Sequence, residues 1–171
     1  MACNITNGFT YDCADAQGGI NKLFMLNGPV ESFTETAGVI QTITVGGSAV
    51  TAADWFVFET PRQTSSFTET ITPSQENGTV TYQQDLTMIF NKLSADKRNE
   101  ILLMAQNNKL VAVALDNNGK YWSIGISRGA YMTSGTATSG VAYADRSGYE
   151  LVISGLEPQP AFEVLSTIME A

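Results

Sequence analysis

Residues 94–107, SADKRNEILLMAQN, are the only segment with a convincing helical pattern in a chain otherwise patterned for β-strand. Ser94 suits the N-cap, because its hydroxyl can accept one of the N–H groups that the first helical turn leaves unpaired. Asp96 places negative charge at the positive end of the helix dipole. Ile101, Leu102, Met104 and Ala105 recur at three- and four-residue spacing, which predicts an apolar stripe, with Lys97, Arg98, Glu100 and Gln106 on the other side. Asn107 and Asn108 tolerate left-handed backbone and predict the stop. A short amphipathic helix cannot bury its own stripe, so a β-rich body must lie beneath it.

The rest of the chain supplies that body. Residues 1–18 read as an irregular arm with a short strand at 9–11, and Gly18-Gly19 ends it. Residues 20–26 read as a well-buried first strand, and 30–45 as a longer β region rich in Thr and Val. Trp55, Phe56, Val57 and Phe58 read as a buried aromatic strand. Residues 60–78, bounded by Thr60-Pro61 and Asn77-Gly78, read as a long inter-strand loop. Residues 79–93 alternate through Val80, Tyr82, Leu86, Met88 and Phe90 as one long strand leading into the helix. After it, LVAVAL predicts a central strand, and Asp116-Asn117-Asn118-Gly119-Lys120 the clearest hairpin turn, with its return strand over 121–126. SGTATSG (134–140) reads as a flexible polar loop. Residues 149–154 read as a last good strand ended by Gly155, and 156–171 as an extended tail with unpartnered apolar groups. The fold class is therefore mainly β: an antiparallel β-sandwich or barrel, in a single domain, with one amphipathic α-helix packed on it.

One pentapeptide occurs twice, Ser32-Phe33-Thr34-Glu35-Thr36 and Ser66-Phe67-Thr68-Glu69-Thr70. In an extended chain its Phe and Glu share a face, so the two copies are either like strands with matched faces, neighbours across a sheet, or a coincidence of a Thr-rich sequence. A Glu beside a Phe also implies a face that is not a sealed core.

Composition narrows the chemistry. With no His, the Ser-His-Asp and Cys-His arrangements are excluded. The two cysteines, Cys3 and Cys13, make neither a disulfide framework nor a zinc site. The acids sit mostly beside turns or helix ends (Asp96, Asp116, Asp145, Glu157), where local structure explains them. The glycine-rich stretches lack the Lys of a phosphate loop. No catalytic residue, metal or cofactor is expected, and the chain reads as a non-enzyme. A net charge of -8, from 17 acids and 9 bases, disfavours gripping nucleic-acid phosphates. On charge alone the simpler reading is that it keeps the monomer soluble, and it could also form a wall along which nucleic acid slides. No run approaches the ~20 apolar residues of a membrane span, and residues 1–7 carry no signal-peptide pattern.

The segment NKLVAVALDNNGKYWSIGISRGAYMTSGTATSG followed by DRSGYELVISGLEPQPAFEV resembles virion structural proteins of tailed phages. The whole layout, strands, a long strand, a helix and closing strands, is similar to the tail tube family, which includes the inner tubes of contractile injection machines. The resemblance implies hexameric rings whose sheets join into an inner β-barrel, stacked into a tube with an electronegative lumen for DNA. The partners implied are other copies of the chain, further virion proteins, and phage DNA passing without specific binding. Its place would be the virion, assembled in the host cytoplasm. By position in that layout, Glu35 and Glu69 become the candidate lumen-facing acids. Pro61, Arg62, Gln63, Pro73 and Glu76 mark the candidate ring-to-ring loop. The alternatives are another virion protein (head-tail joining ring, tail terminator or capsid decoration protein) or, outside virions, a binding module or carboxylate-based hydrolase.

Overall fold

The computed structural model describes residues 4–11 and 13–169. β1 (Ile20–Leu26) turns at Asn27-Gly28 towards β2 (Ser32–Thr36) and β3 (Val39–Val45). A short β4 (Ser48–Ala49) and a 3-10 turn (Ala52–Asp54) lead to β5 (Phe56–Glu59). β6 (Ser66–Ser74) and β7 (Thr79–Asn91) form a long hairpin, and α1 (Ala95–Gln106) follows. Then come β8 (Val111–Asp116), β9 (Tyr121–Ile124), β10 (Ala130–Thr138) and β11 (Gly148–Glu157). β12 (Glu163–Val164) and α2 (Ser166–Met169) complete the described chain.

The strands form two sheets. The larger runs β2-β3-β12-β9-β8-β1-β5, with β4 pairing to β3 off that path; the smaller runs β10-β11-β7-β6. Every pairing is antiparallel except that of β12 with β3. The mainly-β sandwich with one substantial helix is thus the observed architecture.

β8 shows why the fold takes this form. Ala112 and Ala114 face the smaller sheet and pack with Leu86, Met88, Leu151 and Ile153. Val111, Val113 and Leu115 point the other way, into a second core with Phe24, Ile40 and Ile43. Burial on both faces explains the near-continuous apolar run. Fully burying an aliphatic side chain of this size contributes about 1.5–3 kcal/mol, so the two cores dominate the stability. Trp55 and the Ile168 and Met169 side chains of α2 belong to the second.

Several expectations change. Ser94 does cap α1, accepting the Lys97 N–H, but the helix is only weakly amphipathic. Only Met104 is buried and Ile101 half-buried, whereas Leu102, Leu103 and Ala105 are exposed. The apolar residues run consecutively from Ile101 to Ala105, so they spread around the helix and cannot all face one sheet. Asn107 ends the helix in extended, not left-handed, backbone, with its N–H returning to Leu103 and Met104. Residues 60–78 are not a loop: 66–74 are β6, and the turn proper is confined to 75–78. SGTAT (134–138) is likewise strand, paired with β11, and Gly155 lies inside β11. Residues 9–11 form no strand. The aromatic strand β5 is an edge with Phe56 and Val57 exposed. The two SFTET segments are β2 and β6, in different sheets, and a bulge between Thr34 and Glu35 breaks the alternation in β2. The tail is integral: β12 inserts between β3 and β9. Met1, Cys3 and the last two residues of the expected arm and tail lie outside the described residues.

Candidate assembly surfaces

A buried polar chain holds the two sheets and the C-terminal segment in register. Gln84, on the inner face of β7, accepts the Gly125 N–H through Oε1 at 3.1 Å and donates to Glu69 Oε2 at 3.2 Å. The same Glu69 oxygen accepts the Ala161 N–H at 2.7 Å. Gly125 has φ 72°, and a Cβ there would lie 2.5 Å from the Ala130 nitrogen, so no other residue fits this approach. Glu157, 2 % exposed, accepts the Ser127 and Arg128 N–H groups at 3.3 and 2.9 Å.

Glu69 therefore lies on the inner side of the smaller sheet, occupied by these contacts. Glu35 is exposed in the larger sheet, where Oε2 accepts the Gly38 N–H at 3.0 Å and closes the β2–β3 turn. The structure does not bring the two together. Pro61, Arg62 and Gln63 form the connection before β6. There Gln63 has φ 60° and the Thr64 hydroxyl donates to the Pro61 carbonyl at 2.7 Å. Pro73 lies on β6, an edge strand, where a missing N–H is tolerated, and Glu76 occupies the turn. β11 pairs with β7 only as far as Tyr82, whereas β6 pairs down to Thr79. The hairpin tip around Pro73 and Glu76 thus projects beyond the smaller sheet.

Both edges of the smaller sheet, β6 and β10, carry no further strand among the described residues. Its outer face is mixed, with Leu156 and Tyr131 half-exposed among polar residues. Thr68, Gln83, Asp85, Thr133, Glu150 and Ser154 contribute to it, with Asp85 accepting from Gln83 Nε2 at 2.9 Å and from the Ser154 hydroxyl. Asp85 and Glu150 are acids that sequence reasoning passed over. Alternation along β7 and β11 marks their side once Leu86 and Leu151 are placed in the core.

The N-terminal arm leaves from a fixed point. Gln17 exchanges two hydrogen bonds with the Asn118 side chain, at 2.7 and 2.9 Å, and Asn117 Nδ2 donates to the Gly18 carbonyl at 2.7 Å. Asp116 organises that turn. Partial burial pushes its pKa up, but the Lys120 N–H, the Trp122 indole and the Asn118 side chain and N–H outweigh this and hold it below the usual value. Beyond the root, Ile5, Phe9 and Tyr11 are 95, 103 and 98 % exposed. A second projection, the connection between β10 and β11, holds Val141 and Tyr143 fully in solvent. Asp145 accepts the Val141 and Ala142 N–H groups there, and those bonds lower its pKa.

An apolar groove runs between β5 and α1. Phe58, Phe90, Ile101 and Met104 line one end, Phe56 and Leu103 the other. Glu59, Asp96, Lys97 and Glu100 stand around its mouth. Among the described residues there is no cluster of three or more His, Cys, Asp or Glu able to hold a metal, and no helix long and apolar enough to cross a membrane. Comparison with known proteins finds no matching family, curated protein or solved structure.

Proposed function

We propose that this protein is a structural subunit of a phage virion, a tail tube protein whose copies close into hexameric rings and stack into a tube that carries DNA. The observation that supports this most is the smaller sheet, whose two open edges suit one another. In the order β10-β11-β7-β6 every neighbour is antiparallel, so β6 and β10 run in opposite directions. Copies related by a rotation axis would join β6 to β10 antiparallel, and four strands per copy let the alternation continue around a closed ring. Such closure removes exposed edges, which are otherwise aggregation-prone.

In this arrangement the outer face of the smaller sheet forms the lumen, where Glu150 is balanced by its ion pair with Arg146 and Asp85 adds negative charge that keeps phosphates from sticking. The projecting β6–β7 tip, with Pro73 and Glu76, makes the contact between rings. Electron microscopy of the purified protein tests the proposal: stacked rings or tubes of uniform diameter are expected. Isolated rings, or binding only to capsids, would overturn the tube in favour of a joining ring, terminator or decoration protein. A monomer at high concentration would overturn assembly altogether.

A further inference from the structure

We propose that residues 4–11 of one copy add as a β-strand to the open edge of β5 in a neighbouring copy, seating Ile5, Phe9 and Tyr11 in the groove between β5 and α1. The inference rests on the reading above only in requiring self-association; it needs neither rings nor a tube.

The arm and the groove match in three ways. Ile5, Phe9 and Tyr11 all occupy odd positions, so an extended chain presents them on one face, and as described all three are unburied. β5 ends the larger sheet, with β1 its one partner strand among the described residues, and offers unpaired backbone groups along its outer edge. Its Phe56 and Phe58 pair with Met25 and Leu23 and so lie on the side of the sheet that faces α1. Strand addition to such an edge gains main-chain hydrogen bonds, while alternate side chains fill the adjoining groove. Charge agrees as well. Residues 4–11, NITNGFTY, are uncharged, whereas the groove mouth carries Glu59, Asp96 and Glu100 against Lys97. An acidic peptide or a nucleic acid would be repelled there, and a neutral arm is not.

The root bears on which copy supplies the arm. Gln17, Gly18 and Gly19 are held by Asn117 and Asn118 at the β8–β9 turn. The arm therefore departs on the β8 side of β1, while the open edge of β5 lies on the opposite side, two strand spacings or about 10 Å across the sheet. A neighbour's groove needs no doubling back.

The test uses full-length protein. Phe9→Asp with Tyr11→Asp changes side chains that are fully exposed, so folding is preserved, and circular dichroism checks this. Sedimentation should show self-association weakened at least about thirtyfold, the loss expected when two central aromatic anchors are removed. Leu103→Asp, on the groove wall, should do the same. Unchanged association in both variants, with wild type still assembling, overturns the arm while leaving the virion reading intact. A wild-type monomer overturns both. Disulfide trapping identifies the occupant in a background with Cys3→Ser and Cys13→Ser. Mixing a Phe9→Cys copy with a Leu103→Cys copy should yield a cross-linked dimer. If instead only a chain carrying both changes closes on itself, the arm occupies its own groove and the proposal fails.

Discussion

At the scale of single residues, the acids that matter to stability are those that collect backbone N–H groups. Asp116 accepts from Asn118 N and Lys120 N through one oxygen, at 2.8 and 2.9 Å, and from the Trp122 indole through the other at 3.3 Å. Hydrogen bonds to an ionised group contribute about 1.5–3 kcal/mol, so Asp116→Ala should destabilise by roughly that much at neutral pH. Because its folded pKa is lowered, this stabilisation is present above the ordinary carboxylate value and is lost as pH falls through the lowered one. Urea unfolding of wild type and variant at neutral pH and well below 3.8 should show the gap closing on acidification. Glu157 makes a sharper case, since it is 2 % exposed while it gathers two N–H groups from the exposed Ser127 and Arg128. Glu157→Ala removes two hydrogen bonds to an ionised group and should cost about 1.5–3 kcal/mol, whereas Glu150→Ala, which gives up a surface ion pair with Arg146 at 3.0 Å, should stay within about 1 kcal/mol. The turn role of Asp116 is legible in DNNGK. Glu157 is not, because EPQP reads as an exposed extended segment and its partners at 127 and 128 are brought in only by the tertiary fold.

At the scale of elements, α1 shows what periodicity can and cannot resolve. Its existence, its Ser94 cap and its length follow from local signals that act within one turn. Its buried face does not, because Ile101, Leu102, Leu103 and Met104 are consecutive and any of several faces would look apolar. The structure chooses Ile101 and Met104, three residues apart, against the core. Met104→Ala should therefore cost about 2–5 kcal/mol, while Leu102→Ala should change stability by no more than about 0.5 kcal/mol. Equal losses in thermal or urea unfolding would mean that the helix lies on a different face. The Ser66–Thr70 half of β6 is legible through the repeated pentapeptide, and the half beyond it is not, for a related reason. Thr, Ser and Pro on an exposed edge carry no apolar alternation, and only pairing with the well-patterned β7 makes them a strand.

At the scale of the whole molecule, the fold class is readable from the sequence because turns and alternation are local, whereas topology is not. No signal in residues 156–169 announces that a two-residue strand will slip between β3 and β9, more than a hundred residues from the first and some forty from the second. That insertion joins β2 and β3 to the rest of the larger sheet and brings Val164, Ile168 and Met169 into the second core at 2, 6 and 3 % exposure. At about 1.5–3 kcal/mol for each buried group, their combined contribution is comparable with the ~5–15 kcal/mol that holds a domain folded. Truncation after Pro160 should consequently abolish cooperative urea unfolding and expose a dye-binding apolar surface. Retained cooperativity would show that the larger sheet closes without β12. The ion pair between Lys120 and Glu163, 2.6 Å apart at the surface, offers the control: solvent screens it, so Lys120→Ala should shift stability by less than about 1 kcal/mol. A large effect there, with a mild one from Ile168→Ala, would place the hold of the C-terminal segment in charge and not in burial.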